Sequence, residues 1–100
     1  MDLDWLRKKI ERGEYVISIH AERERLMEDI DVSGIEQVIL SGRILENYPT
    51  DPRGPSCLIF GFSKNKAIHA VCGQKGDKAV IVTVYLPKPP HWVTPDKRGK

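Results

Sequence analysis

Leu3, Leu6 and Ile10 recur at helical spacing, Asp2 or Asp4 can cap the first turn, and Gly13 closes the stretch, so residues 3–12 read as a helix. The β-branched and aromatic run Tyr15-Val16-Ile17-Ser18-Ile19 predicts a short strand. Ser18 then offers an N-cap to the polar run from Ile19 to Asp29, which places His20 in the first turn of a second helix. A third helix is expected from Ser33-Gly34-Ile35-Glu36, which has the capping-box spacing. It carries the apolar stripe Ile35, Val38 and Ile39 as far as Gly42.

Beyond Gly42 the period changes from helical to strand-like, in runs over Arg43–Tyr48, Ser56–Phe62, Lys66–Cys72 and Lys78–Leu86 separated by turn-forming residues. Ser63-Lys64-Asn65 and Gly73-Gln74-Lys75-Gly76-Asp77 are short enough for hairpins, which parallel strands could not use, so the runs form an antiparallel meander. Ala79–Leu86 is nearly all apolar and reads as a central strand covered on both faces or close to it. Pro87, Pro89, Pro90 and Pro95 stop regular structure, which leaves residues 93–100 as a loose tail. The expectation is one α+β domain over residues 1–100. Its N-terminal helices pack on one face of a four-stranded antiparallel sheet and leave the other face for function.

Composition supports a folded domain and removes several classes. With 40% apolar and 30% charged residues, the chain is neither disordered, collagen-like nor a coiled coil. The longest charge-free stretch, Gly54–Ser63, is about half the roughly 20 residues that a bilayer-spanning helix requires. Met1-Asp2-Leu3-Asp4 lacks the basic cap and apolar run of a secretory signal, so a soluble cytoplasmic protein is expected. Cys57 and Cys72 have no Cys-x-x-Cys spacing and read as buried reduced thiols, with no metal site or cofactor indicated. The net charge of +2 is unevenly spread. Residues 1–50 carry 7 Lys+Arg against 11 Asp+Glu, a net of −4, and residues 51–100 carry 9 against 3, a net of +6. A basic second half that includes Lys75 and Lys78 fits contact with RNA, and it also fits plain solubility.

With no carboxylate pair and no Gly-rich phosphate loop, histidine, tyrosine and arginine are the candidates for chemistry. His20 would feel the positive end of a helix dipole, which favours neutral imidazole and suits a general base; an ordinary cap-region histidine is the alternative. His69 alternates with Ile68 and Ala70 and is either a hydrogen-bonded core residue or a pocket residue reached from the open sheet face. Arg53, in the turn Asp51-Pro52-Arg53-Gly54, is held for bidentate contact with an anion or pairs with Asp51 or Glu46. Tyr48 and Tyr85 end strands, where a phenol stacks on a base, donates a proton or anchors the core. Gly61 interrupts an apolar strand and marks a bulge or a close backbone approach.

The order of these residues carries a resemblance. His20-Ala21, Asp29-Ile30, the run from Gly42 to Pro49, Arg53-Gly54-Pro55-Ser56-Cys57, Gly61, Ile68-His69-Ala70-Val71, Thr83-Val84-Tyr85, Pro87 and Trp92 closely resemble a family of small prokaryotic proteins, the domain of unknown function numbered 4258. The resemblance spans roughly residues 14–92. It implies a fold like that of RelE-type and BrnT-type toxins, within the barnase-like and RelE-like ribonucleases, and a cognate antitoxin of the zinc-finger YgiT type. It also implies His20, Arg53, His69 and Tyr85 as catalytic candidates, with Tyr48 binding RNA. Relatives carry a basic residue in the second helix where this chain has Glu24, flanked by Arg23 and Arg25.

The implied activity is that of a toxin-like, metal-independent endoribonuclease. A base removes the 2′-OH proton, a cation stabilises the phosphorane and an acid protonates the departing 5′-oxygen. The competing reading is a non-catalytic module whose open sheet face and Trp92 region recruit a protein, with His69 as core.

Overall fold

The computed structural model describes residues 1–99. In chain order the elements are α1 (Leu3–Glu11), β1 (Tyr15–Ile17), α2 (Ile19–Met27), α3 (Val32–Ser41), β2 (Arg43–Tyr48), β3 (Ser56–Ser63), β4 (Lys66–Lys75), β5 (Lys78–Tyr85), β6 (Trp92–Thr94) and β7 (Lys97–Arg98). The α+β class and the helices lying against the sheet agree with the sequence pattern. No helix among the described residues is long and apolar enough to cross a membrane.

Each helix starts where a short polar side chain can satisfy free backbone N–H groups. Asp2 accepts from the N–H of Asp4 at 3.0 Å and of Trp5 at 3.2 Å. Ser18 accepts from Ala21 N at 3.0 Å. The third helix begins earlier than its capping-box pattern suggests: Asp31, not Ser33, is the cap and accepts from Gly34 N at 2.8 Å, while Ser33 Oγ donates to the same carboxylate. Lys64 reaches Asp31 as well, and these donors hold its carboxyl down at about 2.

The sheet corrects the sequence reading in two places. It has five strands, in the order β1-β5-β4-β3-β2, rather than four, because β1 joins the meander by pairing parallel to β5 (Tyr15↔Ala79, Ile17↔Ile81). A parallel pair between distant segments has no hairpin turn to announce it, which is why periodicity finds the strand but not its partner. Residues 93–98 are not a loose tail: β6 and β7 form a hairpin through Pro95-Asp96.

Alternation divides the sheet into two faces. Cys57, Ile59, Ile68, Ala70, Cys72, Ala79, Ile81 and Val84 point into one core with Leu6 and Ile10 of α1 and Ile35, Val38 and Ile39 of α3. Both cysteines are free and buried, directly opposite each other across β3 and β4. The opposite face carries Phe60, His69 and Tyr85 in one cross-strand row, with Leu58, Val71 and Thr83 in the next. In β5, Ala79, Ile81 and Val84 are buried and Val80, Val82, Thr83 and Tyr85 half-buried, so one face is covered and the other close to it.

Gly61 is a close approach, not a bulge. A Cβ there would lie 3.0 Å from the carbonyl oxygen of Val38 and 3.1 Å from its Cα, so α3 sits directly on the strand backbone. Gly61→Val should therefore lower stability by about 1–3 kcal/mol through overpacking. Urea unfolding measures it, and an unchanged midpoint would show that α3 is not seated on β3 as described.

Candidate functional site

His20 and Glu24 stand one turn apart on α2, which puts them on the same face of the helix. His20 Nε2 lies 3.2 Å from Glu24 Oε1, with the histidine side chain 72% exposed and the glutamate 24%. Glu24 is anchored: its Oε1 accepts from the Thr83 hydroxyl and, at 3.2 Å, from the N–H of Val84 in β5. An exposed imidazole is thus oriented by a carboxylate that the sheet itself holds in place.

Two residues along the same strand, Tyr85 meets His69. The His69 ring has no exposed surface, and its partners define its protonation. Nε2 is 2.6 Å from the carbonyl oxygen of Pro95, which can only accept, so Nε2 carries the proton. Nδ1 is then the acceptor for the Tyr85 hydroxyl at 3.2 Å. Trp92 and Phe60 pack edge-on against the ring at centroid distances of 4.5 and 5.7 Å. Burial lowers the His69 pKa despite the Pro95 bond and Glu46, and burial raises that of Tyr85.

The hairpin that supplies Pro95 is fastened by Arg98. Its Nε and Nη2 bind Glu46 at 2.5 and 2.7 Å, a bidentate pair, and its guanidinium lies 4.8 Å from the centroid of Trp92. Glu46 also accepts from the Tyr48 hydroxyl, and these donors hold its carboxyl at about 2. Arg43 adds a contact to Asp96 at 3.1 Å.

Tyr48 forms part of a cleft of about 230 Å³ on the open sheet face, together with Arg53, Lys75 and the side chains of Val71, Val80 and Val82. Arg53 is 87% exposed and pairs loosely with Asp51 at 3.4 Å, whereas Glu46 belongs to Arg98 and not to Arg53. The cleft floor reaches Val71, the cross-strand partner of Thr83, so it adjoins the strand position that holds Glu24. Lys78 faces Lys75 across the β4–β5 turn but lines a separate depression with Lys9 and Tyr15.

The candidates named from the sequence therefore fall into three neighbouring groups: His20 with Glu24, His69 with Tyr85, and Arg53 with Tyr48 and Lys75. Glu24 was not among the candidates, although its spacing from His20 is legible on a helix. Thr83 alternates with Tyr85 and shares its face. Arg98 lay in a segment assigned to the tail, and the Pro95-Asp96 turn between β-prone Trp92-Val93-Thr94 and Lys97-Arg98 was the signal for it.

A neutral His69 links the hairpin to pH. Its folded pKa lies below the ordinary 6.5, so between those values the unfolded chain binds more protons and stability rises with pH. The contribution is complete above about 6.5 and is lost as pH falls through the folded value, while Glu46 acts only below its ordinary 4.5. Melting temperature should fall on acidification from neutral pH to 4.5 in the wild type. That limb should be absent in His69→Gln; equal slopes would sink the assignment.

Comparison with known proteins adds one finding. Neither a curated protein nor a solved structure matches the chain. A family model, the Domain of unknown function (DUF4258), matches residues 17–86, from the end of β1 to just past β5. That stretch holds α2 with His20 and Glu24, all of the strands that form the cleft, and both His69 and Tyr85. The chain belongs to the DUF4258 family.

Proposed function

We propose that this domain is a metal-independent endoribonuclease of the toxin type, with His20 as general base. The observation that carries the reading is the anchored His20–Glu24 pair: Nε2 faces the carboxylate and Nδ1 is left for substrate. The carboxylate keeps the proton on Nε2 and offsets the charge that appears when Nδ1 takes a proton. The likeness to RelE-type and BrnT-type toxins that the sequence implies belongs to this same reading.

In the reaction, His20 Nδ1 accepts the 2′-OH proton while the 2′-oxygen attacks phosphorus. The P–O5′ bond breaks, and the products are a 2′,3′-cyclic phosphate and a 5′-hydroxyl. Arg53, exposed at the mouth of the adjoining cleft, supplies planar donors to the phosphorane oxygens. Tyr85 is the proton donor to the 5′-oxygen once its hydroxyl turns from His69 Nδ1 toward the substrate. Burial keeps its phenol protonated, and it stands two residues from Thr83, about 7 Å along the strand. His69, with no exposed surface, acts through Tyr85 as a positioning residue. Lys75 and Lys78 meet the RNA backbone, and the net charge of +6 over residues 51–100 draws it in.

A specific observation favours the second reading, a protein-binding module. Ile19, Leu26 and Met27 are 74, 63 and 86% exposed on the same helix as His20. A cognate antitoxin seated there would cover the base, so a protein partner fits the catalytic reading as its inhibitor and the alternative as its whole function.

His20→Ala should lower cleavage of single-stranded RNA roughly 10²- to 10⁴-fold with the melting temperature kept. Glu24→Gln, which still accepts from Val84, should lose activity in the same direction. Arg53→Lys should lose most activity, because an ammonium cannot reproduce bidentate contact. Cleavage of total RNA after induced expression, read over time, tests all three. Wild-type rates in the variants, or an inert wild type that binds a protein tightly, would end the ribonuclease reading.

A further inference from the structure

The cleft beside the His20–Glu24 pair owes its depth to a missing side chain. Gly73 lies in the interior of β4, on the face opposite the core, between Ser56 and Val80 of the neighbouring strands. Glycine in a strand interior is destabilising and needs a reason. Neither of the reasons at work elsewhere in this chain applies. Gly13, Gly54 and Gly76 have positive φ, and Gly73 does not. Gly61 has backbone 3.0 Å from where a Cβ would stand, whereas at Gly73 the nearest atom is a methyl of Val82 at 3.5 Å, ordinary contact. The fold would accept alanine at position 73. What a side chain there would occupy is the cleft.

That cleft has the chemistry of a seat for one flat, apolar ring carrying an anion. Its floor is Val71, Val80 and Val82 around the bare Gly73 backbone, and Tyr48 stands at its side. Arg53 and Lys75 sit at its edge together with Asp51, whose carboxylate holds the guanidinium loosely at 3.4 Å, so an incoming phosphate takes Arg53 from that pair. Its volume of about 230 Å³ suits one ring system rather than a length of chain. A peptide would need a longer groove, whereas a nucleobase stacks on such a surface and brings its own phosphate.

We propose that this cleft holds one nucleobase of single-stranded RNA, with Gly73 setting its depth and Arg53 and Lys75 taking the adjoining phosphate. The inference rests on the ribonuclease reading for its substrate, and it places the base beside the phosphate that His20 serves, because Val71 of the cleft floor pairs with Thr83. Gly73 is then a specificity-determining residue of a site whose catalytic residues lie on other elements.

Adenosine 5′-monophosphate and ribose 5-phosphate are the probes, titrated into the full chain with backbone amide shifts followed by NMR. The monophosphate should move the amides of Gly73, Gln74 and Val82, and ribose 5-phosphate should bind at least about tenfold more weakly. Gly73→Ala should weaken the nucleotide about tenfold, the scale of one methyl group in a fitted pocket, and Gly73→Val by more; an unchanged melting temperature in the alanine variant keeps the result interpretable. Equal binding of the two probes, shifts confined to another face, or a peptide competing from the same amides would overturn the proposal. RNA cleavage separates it from the reading beneath it. Cleavage that is normal in both Gly73 variants removes the base seat and leaves the ribonuclease. Nucleotide binding as expected, in a protein that cleaves no RNA, keeps the seat and removes the ribonuclease.

Discussion

The exposed edge of β5 organises this molecule. β1 is three residues long and pairs only with Ala79 to Ile81, so the backbone groups of β5 beyond that point need other partners. Ser18 provides the first two: its N–H donates to Ile81 O at 3.0 Å and its hydroxyl to Val82 O at 2.8 Å, while the same hydroxyl caps α2. Glu24 provides the next by accepting from Val84 N. The helix is therefore stitched along the strand edge by a cap and a carboxylate. His20 stands between them because a residue one turn before Glu24 must face the same way.

This arrangement gives Glu24 two tasks that a lysine or arginine could not perform, since neither side chain can accept a hydrogen bond from the strand N–H. A basic residue there would leave the Val84 amide without this partner and would turn away from the Thr83 hydroxyl's lone proton. The acidic residue converts an edge contact into a histidine–carboxylate pair. In this chain, structural support for the edge and orientation of the imidazole are one interaction.

The other end of the open face depends on a buried polar group. His69 stands in the cross-strand row of Phe60 and Tyr85, where an imidazole with unmet nitrogens would be costly. The C-terminal hairpin supplies Pro95 O and Tyr85 supplies the hydroxyl, so one tautomer satisfies both nitrogens. Arg98 then clamps the hairpin to Glu46, and Glu46 holds Tyr48 at the side of the cleft. Closing over one histidine thus orders a tyrosine that lines a different group of candidate residues.

Periodicity and capping chemistry determined much of this in the sequence alone: the three helices within a residue or two, the meander of β2 to β5, the inward thiols and the alternation that separates His69 from Ile68 and Ala70. Those features are local, set by side-chain spacing and by which residues end a helix or turn a strand. Tertiary structure alone decided the rest. β1 found β5 across more than sixty residues, Glu24 found Val84, and the C-terminal hairpin docked with its Pro95 carbonyl on His69. Hydrogen-bond demands of buried or edge groups are met by whatever the fold brings near, and nothing in the neighbouring sequence records which residue that will be.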